Sequence, residues 1–335
     1  MKTLNPRRFI AVVGLLAILL LAAMIVSSLI SETSISVLQA IKGVSPDKEI
    51  LFDVRIPRIL LAALVGAALS VSGVSFQALL RNPLADPYIL GISGGAALGA
   101  VAGMLLGLEA SILGISTIPL FAFVGATVTI FFVYRVASVG GVVHRHTLLL
   151  VGVIINAFFG AMVMFVTSIV DFATMNDIVI WLMGNLVPLT YGTLGVVAAY
   201  VGIGSVFLFT LTRQFNIMTL GEEPAKQLGI EVETLKRKTF IAASFVTAAA
   251  VAYSGPIGFV GLIVPHVMRL ILGPDHRLLL PSALLAGAGF LVVADTVART
   301  LIAPTEIPVG VITVLCGGPF FIFLLKRRRK GAYYA

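Results

Sequence analysis

The 335-residue chain is 59% hydrophobic and only 11% charged, with a mean hydropathy of +1.09. A soluble globular domain carries about 25% charged residues, so this composition excludes an ordinary water-soluble fold. The net charge of +8 does not indicate nucleic acid as a partner, because the basic residues cluster at the ends of apolar segments, where they orient a protein in a lipid bilayer.

Ten apolar segments of helical length follow one another along the chain. Runs of about twenty apolar residues match a helix crossing a bilayer core of about 30 Å, whereas the strands of a membrane barrel alternate apolar and polar residues. The sequence therefore predicts an all-α integral membrane protein, a single domain over residues 1–335 with ten transmembrane helices. The predicted spans are 9–30, 58–79, 90–107, 117–136, 148–170, 190–212, 239–254, 257–272, 281–301 and 308–325.

The first and eighth segments differ from a plain apolar span. The first follows basic residues, as in a signal peptide, but 9–30 is long for such a segment and no clear small-residue cleavage site follows, so we expect a membrane helix. The eighth begins with Gly255-Pro256 and contains Pro265. We expect it to have a broken or re-entrant entry and to be interrupted at Pro265.

The basic residues predict the orientation. With the N-terminus inside, 18 of the 23 Lys and Arg residues fall on the cytoplasmic side. Both termini are therefore expected in the cytoplasm. The outer side keeps Lys42, Lys48, Arg55, Arg58 and Arg299.

Three of these outer cations, Arg55, Arg58 and Arg299, run against the orienting bias. One interpretation is interfacial snorkelling or pairing with Asp53. The other is a docking patch for carboxylates of a partner, because a guanidinium group binds a carboxylate in a bidentate fork. Arg299 lies one helical turn after Asp295, so these two side chains are expected to share a face and to pair.

Residues that suggest catalysis or metal binding lack the context that such chemistry needs. Gly91-Ile-Ser93-Gly94-Gly95 matches a nucleophile elbow, but no strand and no triad accompany Ser93, and small residues in membrane helices more often allow close packing. No Walker A loop is present, so the chain is not expected to bind ATP itself.

The histidines show no metal-ligand spacing, and we expect solvated inner-loop roles for them. They are His144, His146, His266 and His276.

The longest polar connection, residues 213–238, is predicted to contain a short helix. Glu222 and Glu223 precede Pro224, and acidic residues with an early proline favour a first helical turn. Gly229 then fits a helix stop. Such a helix in a cytoplasmic loop is either a lever for another protein or a solvated connector.

A faint internal repeat relates the two halves of the chain. Eleven residues of a 37-residue window, from Arg55 to Gly91, recur 182 positions later, from Arg237 to Gly273. The second span is predicted to run inward and the seventh outward. The repeat, over spans 2–5 and 7–10, would then be inverted, as in many transporters. Coincidence between helices rich in alanine, leucine and glycine is the alternative.

Short motifs over about residues 50–326 carry a resemblance to a known family. They are Arg55-Ile-Pro-Arg58, Ser72-Gly73, Gln77-Ala-Leu-Leu-Arg-Asn82-Pro-Leu-Ala-Asp-Pro87 with Gly91-Ile-Ser93, Trp181-Leu-Met-Gly184, Gly221-Glu222 through Gln227-Leu-Gly229, Gly255-Pro-Ile-Gly-Phe-Val-Gly-Leu-Ile-Val-Pro-His266, Asp275-His276-Arg277, Ala294-Asp295 with Ala298-Arg299, and Glu306-Ile-Pro-Val-Gly310. With these motifs in this order, the chain resembles the permease subunits of type II ATP-binding cassette (ABC) importers, which take up iron-siderophores, heme or cobalamin.

The resemblance implies a ten-helix subunit of a bacterial or archaeal cytoplasmic membrane, working as a homodimer or pseudo-dimer with the pathway at the dimer interface. Two cytoplasmic ABC ATPase subunits would bind ATP and Mg²⁺, so this chain would need no cofactor of its own. An extracytoplasmic substrate-binding protein would deliver a metal chelate, with an iron-siderophore favoured over heme or cobalamin.

The resemblance also implies three groups of functional residues. Carboxylates of the binding protein would engage Arg55, Arg58 and Arg299. The segment that couples to the ATPases would contain Gly221, Glu222, Glu223, Ala225, Gln227, Leu228 and Gly229. The cytoplasmic gate would contain Asn82, Leu84, Arg145 and His146, although some relatives have a small polar pair where Arg145 and His146 stand.

Two other classes of function remain open from the sequence. An ion-coupled secondary transporter or channel would favour ionisable residues deep in the spans, and only Asp295 is a candidate. An intramembrane serine hydrolase would depend on Ser93, and labelling with a serine probe would identify it.

Overall fold

A computed structural model describes residues 5–30, 36–107, 111–112 and 115–332. Helices dominate these residues, together with a π-helical turn, Ile50–Arg55, a 3₁₀ turn, Pro87–Leu90, and two short hairpins. The helices are α1 (Pro6–Leu29), α2 (Val37–Ile41), α3 (Asp47–Glu49), α4 (Ile56–Leu80), α5 (Ile92–Leu105), α6 (Thr117–Ala137), α7 (Arg145–Thr167), α8 (Phe172–Leu182), α9 (Tyr191–Thr210), α10 (Thr212–Met218), α11 (Glu222–Gln227), α12 (Val232–Ser254), α13 (Val260–Leu272), α14 (His276–Thr300) and α15 (Val309–Ala332). The strands are β1 (Ser111–Ile112) with β2 (Ile115–Ser116), and β3 (Ser138–Val139) with β4 (Val142–Val143).

The predicted all-α membrane class is confirmed, and each predicted span overlaps one helix. In the described part of the chain, six helices are long and apolar enough to cross a membrane by themselves. Other overlapping helices are shorter or, like α12, carry charged residues in their first turns. The total of ten crossings therefore stays a prediction. Helix α8 was not predicted, because its 11 residues fall short of a membrane span.

The eighth span was predicted with a break and an interruption, and the structure shows only the break. Residues 255–259 separate α12 from α13, and α13 then runs through Pro265 without ending. Proline at 265 leaves the carbonyl of Gly261 without its usual helical donor. The Gln77 side-chain amide lies 3.4 Å from that oxygen and supplies a replacement. With 13 residues, α13 is about 20 Å long, shorter than the bilayer core.

Helix α4 lies at the centre of the fold and is buried along most of its length. Its neighbours approach at backbone distance through glycine. Gly66 faces the backbone of Gly287 on α14, and Gly73 faces the backbone of Gly261 on α13. Small residues in membrane helices allow such approach, and van der Waals packing then holds the helices together.

Side-chain contacts give the directions of the helices. Phe76 of α4 packs on Phe240 of α12, and Ser72 Oγ, one turn earlier, donates to the carbonyl of Ala243, so these helices run antiparallel. This is the relation that an inverted repeat requires of spans two and seven. The repeat as a whole stays a prediction.

The backbone contact at Gly73 generates a stability test. Alanine normally stabilises a helix by about 1 kcal/mol relative to glycine, but a Cβ at position 73 would collide with the Gly261 backbone. We expect Gly73→Ala to lower stability by about 1–3 kcal/mol, as overpacking does. The control is Gly195→Ala on α9, where a Cβ meets nothing within 4 Å. Thermal unfolding in detergent would show a lower Tm for the first variant only; equal values would remove the packing argument.

Two charged clusters as candidate functional sites

The first cluster joins α4 to α14 at the predicted outer side. The Arg58 Nε and Nη2 atoms donate to Asp295 Oδ1 at 3.1 and 3.0 Å. Arg58 Nη1 donates to Glu306 Oε2 at 2.7 Å, and Arg299 Nε donates to Asp295 Oδ2 at 3.1 Å. One buried carboxylate is therefore shared by two guanidinium groups, and a second carboxylate completes the group. We call these four residues the outer cluster.

Local structure brings the members of the outer cluster together. Asp295 and Arg299 are one helical turn apart on α14, as the sequence predicted, and their ion pair is present. The segment after α14 folds back on it, because the Ile307 amide donates to the carbonyl of Ala298 at 3.1 Å. This return places Glu306 against the first turn of α4.

Helix α1 is fastened to the outer cluster. Arg299 Nη2 donates to Ser27 Oγ at 3.1 Å, and Thr296 Oγ1 donates to the same oxygen at 2.7 Å. Arg55 Nη1 donates to the carbonyl of Ser28 at 3.1 Å. All three arginines of the predicted docking patch thus contact neighbouring parts of the chain.

The three arginines are buried rather than exposed. The exposed fractions of Arg55, Arg58 and Arg299 are 4%, 7% and 5%. In contrast, the side chain of Glu306 is 43% exposed. The sequence did not indicate this burial, because Glu306 lies 248 residues from Arg58 in the chain. Docking by these arginines stays a prediction, and any incoming carboxylate has to compete with the carboxylates already bound.

The second cluster surrounds α11, the short helix that the polar loop was predicted to contain. Gly221 lies at its start with φ +128°, and Gly229 beyond its end has φ +82°, both in the region that favours glycine. The inner face of this segment includes Gly221, Glu222 and Ala225. The outer face exposes Glu223, Pro224, Lys226, Gln227, Leu228 and Gly229.

Lys236, on α12, is the centre of this second cluster. Its Nζ atom donates to Glu222 Oε2 at 3.0 Å, to Glu233 Oε1 at 2.9 Å and to the carbonyl of Val143 at 3.2 Å. Arg145 Nη2 lies 3.0 Å from Glu222 Oε1. We call Val143, Arg145, Glu222, Glu233 and Lys236 the inner cluster. Sequence reasoning missed Lys236, since basic residues at the start of a span are explained by the positive-inside rule alone, and no local pattern pointed to Glu233.

The charge balance of the inner cluster keeps Glu222 ionised. Burial raises the pKa of Glu222, but the hydrogen bond and positive charge of Lys236, followed by the charge of Arg145, outweigh it, and the net pKa lies below the ordinary value. The carboxylate is therefore charged at neutral pH, and its negative charge is lost only as the pH falls through this lowered pKa.

The predicted gate residues lie in different surroundings. Arg145 binds Glu222 and His146 is exposed. In the loop after α4, Asn82 Oδ1 accepts the amide of Leu84 at 3.0 Å, an Asx turn. None of this tests a gate, so that role stays a prediction for all four residues.

The solvated-loop interpretation is wrong for two of the four histidines. His266 and His276 are 6% and 3% exposed. The backbone amide of His276 donates to Asn216 Oδ1 at 2.8 Å, and Asn216 Nδ2 donates to Asp275 Oδ1 at 2.7 Å. The side-chain hydrogen bond from Arg277 is the main reason that the pKa of Asp275 falls to about 2. These contacts fix the polar loop to the start of α14. Among the described residues, no group of three or more His, Cys, Asp and Glu side chains is placed to hold a metal ion.

Comparison with known proteins gives a family match over most of the chain. A family model described as the FecCD transport family matches residues 15–327. The cobalamin import system permease protein BtuC of Halobacterium salinarum is 46% identical over 279 residues, covering 83% of this chain and 74% of the relative. The iron(3+)-hydroxamate import system permease protein FhuG of Bacillus subtilis is 34% identical over 332 residues, covering 97% and 98%.

A solved structure has the same fold over nearly its whole length. It is an inward-facing conformation of a protein described as a metal-chelate type ABC transporter. The two chains superpose with a TM-score of 0.83 at 32% identity, and the match covers 95% of this chain and 99% of the other.

The outer cluster generates a second stability test. Asp295→Asn removes the carboxylate shared by two buried arginines, and breaking a buried ion pair in this way typically costs about 3–5 kcal/mol. Glu306→Gln is the matched control, because a half-exposed pair contributes about 0–1 kcal/mol. Unfolding followed by thermal shift in detergent should therefore rank Asp295→Asn well below Glu306→Gln. Similar Tm values for the two variants would show that Asp295 does not hold this cluster together.

Proposed function

The chain belongs to the FecCD transport family, and from this premise we propose that it imports a bulky metal chelate with an iron-siderophore as the first candidate cargo. It is a multi-pass membrane permease subunit of an ABC importer. The two relatives named above import cobalamin and ferric hydroxamate, which differ in the organic part and share a chelated metal. The shared chemistry supports the cargo class.

We propose that the working unit is a homodimer of this chain with two cytoplasmic ABC ATPases, oriented with both termini in the cytoplasm. The distribution of basic residues supports the orientation. On this orientation α11 lies on the cytoplasmic side. Its exposed face, flanked by Leu220 and Leu228 at 63% and 60% exposure, supports contact with an ATPase.

The observation that carries the coupling proposal is the two-faced environment of α11. One face is bonded to the rest of the chain through Glu222, and the other is exposed between two exposed leucines, Leu220 and Leu228, that flank the helix. ATP binding can shift the permease between conformations only if the ATPase contacts differ between them. A small helix held on one side and contacted on the other is a suitable place for that difference to act.

Docking of the delivery protein is proposed at the outer cluster. Arg58 and Arg299 of this cluster, with Arg55 beside it, carry the positive charge that partner carboxylates would need, and Glu306 is the exposed residue bonded to Arg58. An arriving carboxylate would replace Glu306 on Arg58 Nη1, so docking would be an exchange of ion-pair partners and not the capture of an open cation.

The alternative of an ion-coupled transporter gains nothing from the outer cluster. Asp295 was the candidate for a deep ionisable group, and it is bonded to both Arg58 and Arg299. Both of its carboxylate oxygens are engaged in joining α4 to α14 and in the pair within α14, which favours a structural role over a site for a transported ion.

The contact between α11 and the ATPase is testable at Leu228. We expect Leu228→Asp to weaken association with the ATPase subunit about 10- to 100-fold, since burial of a leucine contributes about 1.5–3 kcal/mol. The control is Glu231→Ser, at an exposed position of the same loop outside α11. Co-purification of the two subunits and ATP-driven uptake of ferric hydroxamate, hemin and cobalamin by proteoliposomes are the measurements. Wild-type association and uptake by Leu228→Asp would reject the proposed contact.

The docking proposal is best tested at Glu306. Arg58→Glu is unsuitable, because it would place a third carboxylate against Asp295 and Glu306. Removing the internal competitor with Glu306→Gln should instead strengthen binding of the system's extracytoplasmic binding protein to the permease complex in nanodiscs, with a smaller effect at high salt. Lys48→Gln, at an exposed outer cation, controls for general electrostatics.

Reversal of the binding protein's interface glutamates to arginine should weaken docking to the wild-type complex strongly. If neither this reversal nor Glu306→Gln changes the affinity of docking, the outer cluster has no docking role.

A further inference from the structure

The inner cluster joins three parts of the chain that are far apart in sequence. The Lys236 Nζ atom contacts Glu222 of α11, Glu233 of its own helix α12, and the carbonyl of Val143 in β4. Lys236 is 3% exposed, so these three contacts occupy an amino group that has almost no access to water. A buried ammonium group is stable only when its donors are satisfied in this way.

Two further bonds close the network. Glu222 receives Arg145, the first residue of α7, on its other oxygen at 3.0 Å. Glu233 Oε2 accepts the amide of Val143 at 2.8 Å, so both backbone groups of Val143 are bonded to the base of α12. The position of α11 is thereby fixed to the starts of both α7 and α12.

Helix α11 depends on this network because it has little else to hold it. It contains six residues, too few for an isolated helix to be stable in water, and Ala225 is its one buried side chain. Its other ion pair, Glu223 with Lys226, lies within the helix on the exposed face and fixes it to nothing.

Helix α12 continues from Lys236 into the packed core. One turn after Lys236, Phe240 contacts Phe76 of α4 and Tyr134 of α6 at ring-centroid distances of 6.2 and 5.5 Å. Ser72 Oγ of α4 donates to the carbonyl of Ala243 at 3.0 Å. A displacement of α12 at its base is therefore passed to α4 through direct contacts.

We propose that Lys236 is the positioning residue that transmits motion of α11 to the membrane helices, by holding α11, β4 and α12 as one unit. The inference rests on the proposed coupling role of α11. If the connection ran through the polypeptide loop alone, residues 228–231 would have to carry the displacement. The contacts of Lys236 connect α11 to α12 by a shorter path than residues 228–231 do. They also involve charged groups, which hydrogen-bond more strongly than neutral ones.

The test compares Lys236→Met with Lys236→Arg in the complete importer in proteoliposomes. Methionine retains the apolar stem and removes the amino group, whereas arginine retains the charge. We expect Lys236→Met to hydrolyse ATP at no less than half the wild-type rate while uptake of the transported chelate falls about tenfold or more, so that far more ATP is used per molecule imported. Lys236→Arg should recover most of the uptake. A purely structural defect would lower both rates together and leave their ratio unchanged.

A second measurement needs no partner. Hydrogen exchange of residues 221–229 in the purified permease should become faster in Lys236→Met and in Glu222→Gln, and stay at the wild-type rate in the matched control Glu223→Gln. If Lys236→Met fails to fold, Glu222→Gln decides both measurements, because Glu222 is the more exposed end of the same contact.

Two outcomes would overturn the inference. Faster exchange with a wild-type ratio of ATP to import would show that the held position of α11 is not what transmits motion. Wild-type exchange in Lys236→Met would show that Lys236 does not hold α11. In either case, weaker ATPase association in Leu228→Asp would still support the proposed function. Unchanged association in Leu228→Asp would count against the proposed function, independently of Lys236.

Discussion

In a bilayer an apolar side chain gains little by leaving lipid for protein, so the helices of this protein are held by close packing and polar contacts and not by hydrophobic burial. Helix α4 shows what this constraint requires. Gly66 and Gly73 bring the backbones of α14 and α13 to within touching distance, and Ser72 bonds α12. A larger side chain at either glycine would push a whole helix away. The arrangement of the other elements, including both charged clusters, depends on α4 remaining in these contacts.

The two charged clusters reflect a second constraint, the cost of removing charges from water. Desolvating several charges is costly, and ion pairing alone rarely returns the full cost, so such groups specify which elements meet more than they add stability. In the outer cluster, Asp295 is shared by Arg58 and Arg299 and thereby joins α4 to α14. In the inner cluster, Lys236 joins α11 and β4 to α12. Each cluster contains a buried cation bonded to partly exposed glutamate, Glu306 at the outer cluster and Glu222 and Glu233 at the inner cluster.

The features that could be predicted from the sequence are those that a local pattern of residues encodes. Apolar length predicted the positions of the helices, and the acidic turn before Pro224 with the later Gly229 predicted α11. The pairing of Asp295 with Arg299 followed from their four-residue spacing. Burial of Arg58 depends on contacts with residues some 240 positions away in the chain, and no local signal encodes such contacts.

Several features were missed for physical reasons that single residues show. Helix α8 is too short to register as a span, and Pro265 sits inside α13 because Gln77 from another helix serves the carbonyl that proline leaves without a donor. Lys236 was counted among the residues that set orientation, although its position at the start of a span also lets it reach inward to three acceptors. Composition and spacing identify a charge, whereas its partners are decided by the tertiary fold.

The two kinds of contact differ in how they respond to force, and this difference bears on transport. A glycine contact between backbones depends on one close geometry, since separation loses the van der Waals energy of that close packing. An ion pair with a partly exposed carboxylate can exchange its partner for water or for another charged group. The glycine contacts of α4 therefore favour movement of α4, α13 and α14 together. Exchange of ion-pair partners is then confined to the two surfaces at which Glu306 and Glu222 are partly exposed. These are the surfaces at which the delivery protein and the ATPase are proposed to bind.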